Sequence, residues 1–287
     1  MVGSGKAIDT DRFFVIAPNV LGSCQGSTGP ASEGPDGRPY ASRFPQLTIR
    51  DQVAAERSLA DELEIGSFHA VIGGSMGGMR ALEWALLDPD RVGRLLLLAC
   101  AAAASAEQIA LCSTQIAAIE ADPHFKGGDY YAEIEGPWRG LGVARRIGQI
   151  SYRTRGEFTE RFGREHQDDL DPLDGGRFSV EGYLDHHAAK LAWRFDANSY
   201  VLLSRAMNLH DVGRGRGGIA AALRRISAPT TVIGFHSDRL YPLDEQQAIA
   251  QGVGENAHVH ALASVLGHDA FLLENAAMTP IVTQALA

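Results

Sequence analysis

The chain has 287 residues, and 26 basic against 35 acidic side chains leave it a formal charge of −9. An acidic surface repels a phosphate backbone, which excludes nucleic acid as a partner, and no apolar run is long enough to span a bilayer. With 45% hydrophobic and 21% charged residues, the composition suits one large α/β domain with an insertion, or two small domains, with a sizeable core.

Residues 1–11 are polar and glycine-rich, unlike a signal peptide. Residues 13–17 (FFVIA) read as a buried strand, and a loop rich in Gly, Pro and Ser follows from residue 19 to about 44. Thr48 can cap a helix through Leu63, with Val53, Leu59, Ala60 and Leu63 near helical spacing. Residues 68–72 (FHAVI) form a second expected strand, running into Gly73-Gly74-Ser75-Met76-Gly77-Gly78 and a helix over 79–87. Residues 94–100, 229–235 and 257–262 are further strands, and a final helix begins near Asp269. Short apolar runs alternating with helical stretches predict a mostly parallel sheet flanked by helices.

From Ala101 to about Ser227 strand signals vanish and helical segments dominate, which predicts a helical lid inserted between two strands. The expected division is therefore 1–104 and 228–287 as the α/β core and 105–227 as the lid. The cysteines, Cys24, Cys100 and Cys112, lie far apart without CxxC spacing, so they read as reduced thiols of a cytoplasmic protein.

The chemistry concentrates at Ser75. Gly73-Gly74-Ser75-Met76-Gly77 matches G-x-S-x-G between a strand and a helix, the context a nucleophile elbow requires. A turn this sharp strains the serine backbone and lifts its hydroxyl clear of the sheet, while the Met76 N–H at the helix start can stabilise an oxyanion. Without that chemistry the same stretch would be a glycine-rich turn or a phosphate cradle, and the latter would want a lysine or wider glycine spacing. Two later strand ends carry Asp238 and His268, in the chain order Ser, Asp, His that such a fold uses. His268 is then the expected base and Asp238 its orienter. This constellation predicts an α/β-hydrolase-type fold working through an acyl-serine.

The chain resembles the homoserine O-acetyltransferase family in PNVLGSCQGSTGP (18–30), GGSMGGM (73–79), RFDANSYVLLSRAM (194–207), SDRLYP (237–242) and GHDAFL (267–272). The resemblance implies transfer of acetyl from acetyl-CoA to L-homoserine by a ping-pong route towards methionine, with no metal or prosthetic group. It implies the triad Ser75, Asp238 and His268, and amino-acid contacts from Arg145, Tyr152 and Asp269. A guanidinium suits the substrate carboxylate and the Asp269 carboxylate its ammonium. By themselves Arg145 reads as a solvated helix residue beside Arg146, and Tyr152 as packing. The resemblance also implies a homodimer through lid helices.

It implies, further, that family sequences begin well upstream of Met1, with the first strands of the sheet and a second oxyanion N–H in that segment; a start codon placed too far downstream is expected. Rival readings keep the mechanism with succinyl-CoA as donor or serine as acceptor, replace the acceptor by water in an esterase, or take the chain as an inactive remnant. Arg214-Gly215-Arg216-Gly217-Gly218 reads as a flexible loop, and His258 with His260 lacks a third metal ligand.

Overall fold

Four consecutive leucines make up one of the two inner strands of the sheet, and all four are buried because the sheet is covered on both faces. The computed structural model describes all 287 residues. In chain order its helices and strands begin with α1 (Ile49–Glu62), β1 (Val71–Gly74), α2 (Met76–Leu87) and β2 (Leu95–Leu98). There follow α3 (Ala106–Glu120), α4 (Trp138–Tyr152), α5 (Arg155–Phe162), α6 (Ser179–Ala192), α7 (Ala197–Asn208) and α8 (Ile219–Leu223). The chain closes with β3 (Thr230–Phe235), α9 (Leu243–Val253), β4 (Ala257–Leu262), α10 (Ala270–Leu273) and α11 (Asn275–Ala285).

Two compact units emerge. The first comprises Met1–Pro18, Thr48–Ala104 and Leu209–Ala287, and holds the whole sheet. Its strands run parallel in the order β1-β2-β3-β4, with Val71 beside Leu95, Leu95 beside Thr230 and Thr230 beside Ala257. Side chains alternate across the sheet. Leu95, Leu97 and Val232 pack with Val53, Leu82 and Ile249 on one face, and Leu96, Leu98 and Ile233 with Met278 and Val282 on the other. The α1 helix starts where expected: the Thr48 hydroxyl and the Asp51 carboxylate close a capping box. Beneath the sheet Glu83, 1% exposed, accepts from Arg50 at 3.2 Å and from Arg216 at 2.7 Å. Carrying a carboxylate out of water is tolerated because both oxygens meet guanidinium groups.

The second unit comprises Asn19–Leu47 and Ser105–Asn208. Its core joins Ile116 and Ile119 of α3, Leu141 and Ala144 of α4, Leu191 of α6 and Val201 of α7. Ser105 and Gln108 form a capping box at the start of α3. The Asp196 carboxylate accepts from the Tyr130 and Tyr131 hydroxyls at 2.5 and 3.0 Å and from the Ser199 N–H at 2.8 Å, which ties the turn before α4 to the start of α7.

The boundaries differ from expectation in three ways. Residues 209–227 return to the sheet unit rather than staying with the helices: Val212 N–H donates to Ala102, Arg216 reaches Glu83, and Leu223 and Ile226 enter the sheet core. Residues 19–47 belong to the helical unit, where the Ser42 N–H and hydroxyl donate to Asp129 at 3.2 and 2.7 Å. Residues 13–17 are not a buried strand: no regular structure forms there and Phe14 is 87% exposed. Strand propensity is realised only against a partner strand, and none pairs with this segment.

Candidate active site

The nucleophile elbow is built by two glycines. A Cβ on Gly73 would lie 2.0 Å from the Gly77 carbonyl oxygen, and a Cβ on Gly74 would lie 2.6 Å from the Phe271 ring. Lacking those carbons, β1 runs directly into α2 and the chain reverses within one residue. That residue is Ser75, held at φ 54° and ψ −124°. A non-glycine residue in this region is strained, and such strain persists only where surrounding structure enforces it. Here the Ser75 N–H donates to Leu98 of the neighbouring strand at 2.9 Å, and its carbonyl accepts from Gly78 at 2.9 Å.

The three side chains distant in sequence meet. Ser75 Oγ lies 2.9 Å from His268 Nε2, and His268 Nδ1 lies 2.8 Å from Asp238 Oδ2. His268 and Asp238 are each only 4% exposed. The second Asp238 oxygen accepts the backbone N–H groups of Leu240 and Tyr241 at 2.9 and 3.0 Å, which fixes the carboxylate plane. Tyr241 packs against the imidazole with centroids 4.9 Å apart, and Phe271 with centroids 5.2 Å apart. Met76 is the first residue of α2, so its N–H has no acceptor inside the helix and lies at the positive end of the helix dipole. Asp269 follows His268 in a short 3-10 turn and is half-buried.

This hydrogen-bonded chain can deprotonate a hydroxyl and return the proton to a leaving group, with an N–H beside it for a developing oxyanion. It is the geometry of covalent acyl transfer.

Arg145 and Tyr152 lie in the helical unit, two turns apart on α4. The Arg145 guanidinium stacks over the Tyr152 ring, 5.6 Å from its centroid. The tyrosine folds back along its own helix, where a Cβ on Gly148 would come within 3.3 Å of its hydroxyl. Arg145 is half-buried and pairs with no carboxylate, whereas its neighbour Arg146 is paired with Asp185, and Arg153 with Glu157. A half-buried cation without a counter-charge is set up to receive an anion.

Some site neighbours were not evident in the sequence. Tyr241 and Phe271 sit within segments that carry the family resemblance, yet nothing in their spacing says that they clasp an imidazole. Tyr200 on α7 donates to Gln115 Oε1 at 2.6 Å. Burial above all, and then the nearby Tyr152, pushes its hydroxyl well above the usual tyrosine range, so it stays a neutral donor.

Comparison with known proteins agrees with the geometry. A sequence model of the alpha/beta hydrolase fold matches residues 3–273. The homoserine O-acetyltransferase of Thermobifida fusca is 59% identical across all of this chain, which covers 76% of that relative's length. Among solved structures, homoserine O-acetyltransferase from Bacillus anthracis superposes with a TM-score of 0.91 at 28% identity, over 99% of this chain and 79% of that one. Esterase E22 superposes with a TM-score of 0.90 at 30% identity, over 100% of this chain and 81% of that one. With the fold, the elbow and this depth of similarity together, the chain belongs to the homoserine O-acetyltransferase family, on the α/β-hydrolase fold.

Proposed function

We propose that the protein transfers acetyl from acetyl-CoA to the hydroxyl of L-homoserine, with Ser75, His268 and Asp238 as its catalytic triad. The observation that carries this is the unbroken chain from Ser75 Oγ to His268 at 2.9 Å and on to Asp238 at 2.8 Å, inside a member of this family.

In the first half-reaction Ser75 Oγ attacks the thioester carbonyl while His268 Nε2 takes its proton. The Met76 N–H stabilises the tetrahedral oxyanion; CoA then leaves, taking the proton from His268, and an acetyl ester remains on Ser75. In the second, His268 takes the proton of the homoserine hydroxyl, which attacks that ester; the proton returns to Ser75 as O-acetylhomoserine departs. Asp238 holds the imidazole in the tautomer that presents a bare Nε2 to the serine and stabilises the imidazolium. Asp269, next to the base, receives the acceptor's ammonium group, and Arg145 with Tyr152 its carboxylate. Nucleophile, base, orienter and oxyanion donor are all protein groups, so this chemistry calls for no metal or prosthetic group.

The same reading places the protein in the cytoplasm, where Cys24, Cys100 and Cys112 stay free thiols. It takes the protein as a homodimer joined through helical-unit surfaces, supported by the exposed apolar Ile109, Trp138, Val143 and Ile150 on α3 and α4.

One observation favours a second reading. The superposition on esterase E22 is as close as that on the acetyltransferase, so the same scaffold serves hydrolysis with water as acceptor. The two separate by following free thiol from acetyl-CoA with and without homoserine, while mass spectrometry locates the acyl group. Transfer predicts a single burst of thiol without homoserine, an acetyl adduct on Ser75, and steady release only when homoserine is added. Steady release without homoserine establishes the esterase. Equal labelling by succinyl-CoA would reassign the donor, and turnover with serine in place of homoserine the acceptor.

A further inference from the structure

Gln115 on α3 is 5% exposed, yet only half of its side-chain amide is engaged. Its Oε1 accepts the Tyr200 hydroxyl of α7 at 2.6 Å, and its Nε2 donates to no acceptor. Burying an amide is costly unless its N–H groups are bonded, so an idle donor among apolar neighbours calls for a reason. Its place in the fold supplies one. The α4 helix packs against α3 so closely that a Cβ on Gly140 would lie 2.5 Å from the Ala118 carbonyl oxygen. Ile116 and Ala144, the sequence neighbours of Gln115 and Arg145, enter one apolar core, against which Tyr200 packs. The Tyr200 hydroxyl also senses both members of the α4 pair. Burial first, then Tyr152 and Cys112, push it well above the usual tyrosine range, while Arg145 pulls the other way. The group that holds Gln115 therefore lies among the side chains of that pair. A cation without a carboxylate and a buried N–H without an acceptor stand together, and one carboxylate, with two oxygens, can answer both.

We infer that Gln115 is a specificity-determining residue of the acceptor site: oriented by Tyr200, its Nε2–H donates to one carboxylate oxygen of the acceptor while Arg145 meets the carboxylate's charge. This rests on the acceptor being an amino acid, as in the transfer proposed above. The two residues divide the work by their chemistry. A guanidinium attracts any anion, whereas a neutral amide of fixed orientation rewards only an oxygen placed within its reach. Arg145 thus supplies strength and Gln115 selects the position of the group. Tyr200 is the positioning residue: its neutral hydroxyl, donating to Oε1, fixes which end of the amide is nitrogen and polarises that N–H. Were the link only a strut between α3 and α7, its loss would lower stability without changing which alcohol binds.

The probes are L-homoserine and propanolamine, the same amino alcohol without the carboxylate. Each is titrated into the full chain and followed by ligand-observed NMR, so binding is read without turnover. Gln115→Glu keeps an acceptor for the Tyr200 hydroxyl and replaces the amide donor by a charge that repels an anion. Homoserine is expected to bind this variant about tenfold or more weakly, the worth of one hydrogen bond to a charged group. Propanolamine is expected to bind it as it binds the wild type. Gln115→Leu should show the same selective loss, and Tyr200→Phe a smaller one in the same direction. Homoserine affinity unchanged in Gln115→Glu and Gln115→Leu when circular dichroism shows them folded, or equal weakening of both compounds, overturns the inference and leaves the proposed transfer standing. A wild type that binds the two compounds equally, or binds neither, overturns the amino-acid acceptor and this inference with it.

Discussion

The groups around Ser75 and the pair on α4 satisfy their charges in opposite ways. At the elbow every polar atom of the orienting carboxylate is engaged, by His268 and by two backbone N–H groups, and the base is clasped between aromatic rings. On α4 the Arg145 guanidinium has an aromatic ring beneath it and no carboxylate beside it. The first arrangement is complete before any ligand arrives, as preorganised catalysis requires. The second is electrostatically incomplete, which suits the anion-binding role proposed for it. On the proposed roles, damage to the elbow and damage to the α4 pair should lower different kinetic quantities.

The sharpest break comes from Ser75→Ala. Removing a nucleophile that acts as a unit with its base is expected to lower kcat on the order of 10⁶-fold. The acyl adduct should vanish from the mass spectrum while the circular dichroism spectrum is unchanged. Asp238→Asn tests the orienter: the imidazole then adopts the wrong tautomer, and kcat is expected to fall about 10⁴-fold with KM little altered. A variant retaining a tenth of wild-type turnover would show that the Asp238 contact is structural only.

Beneath the elbow, Glu83→Leu leaves Arg50 and Arg216 without their counter-charge. Stranding the buried Arg216 beside a partly exposed Arg50 costs up to about 3–5 kcal/mol, read as a lower urea midpoint. A shift below 1 kcal/mol would show that the network does not hold residues 209–218 to the sheet unit. His210 contributes a pH dependence to the same unit. Burial holds its pKa down at about 4, against 6.5 for the free side chain. The unfolded chain therefore takes up a proton on acidification before the folded one does. The associated stability is complete above pH 6.5 and is lost as pH falls towards 4, about 3 kcal/mol in all. Comparing urea midpoints at pH 7 and 4.5 for wild type and His210→Asn checks it, the variant being expected to lose less on acidification.

The smallest expected effect sharpens the contrast most. Arg145→Met removes one charged hydrogen-bonding partner, worth about 1.5–3 kcal/mol, so KM for homoserine is expected to rise roughly 10- to 150-fold. The rate of Ser75 acetylation by acetyl-CoA alone should be unchanged. If acetylation slows in parallel, Arg145 serves the donor or the fold rather than the acceptor.

Legibility in the sequence divides along a physical line. The elbow was readable because its constraint is local: a strand, a one-residue reversal and a helix demand glycine around a serine, and Gly73, Gly74 and Ser75 stand in consecutive positions. Asp238 and His268 were readable because chain order and strand ends place them, although their distances were not. Residues 13–17 show where local pattern ceases to decide structure. FFVIA has every local mark of a strand, but a strand is a relation between two chains of backbone, and no partner lies beside it here. The unit boundary at residue 209 was invisible for a similar reason, since Glu83 and Arg216 are 133 positions apart and only folding introduces them.

The amino-acid order by itself therefore determined the parallel sheet, the strained serine and the two residues that join it in a hydrogen-bonded chain, because each follows from short-range sterics or from the sequence of elements. Tertiary structure alone decided which groups closed on one another and which stayed unpaired: the aromatic clasp on His268, the unpaired charge of Arg145 and the return of residues 209–227 to the sheet. Burial and pairing are properties of atoms that meet across long loops, and no local pattern encodes them.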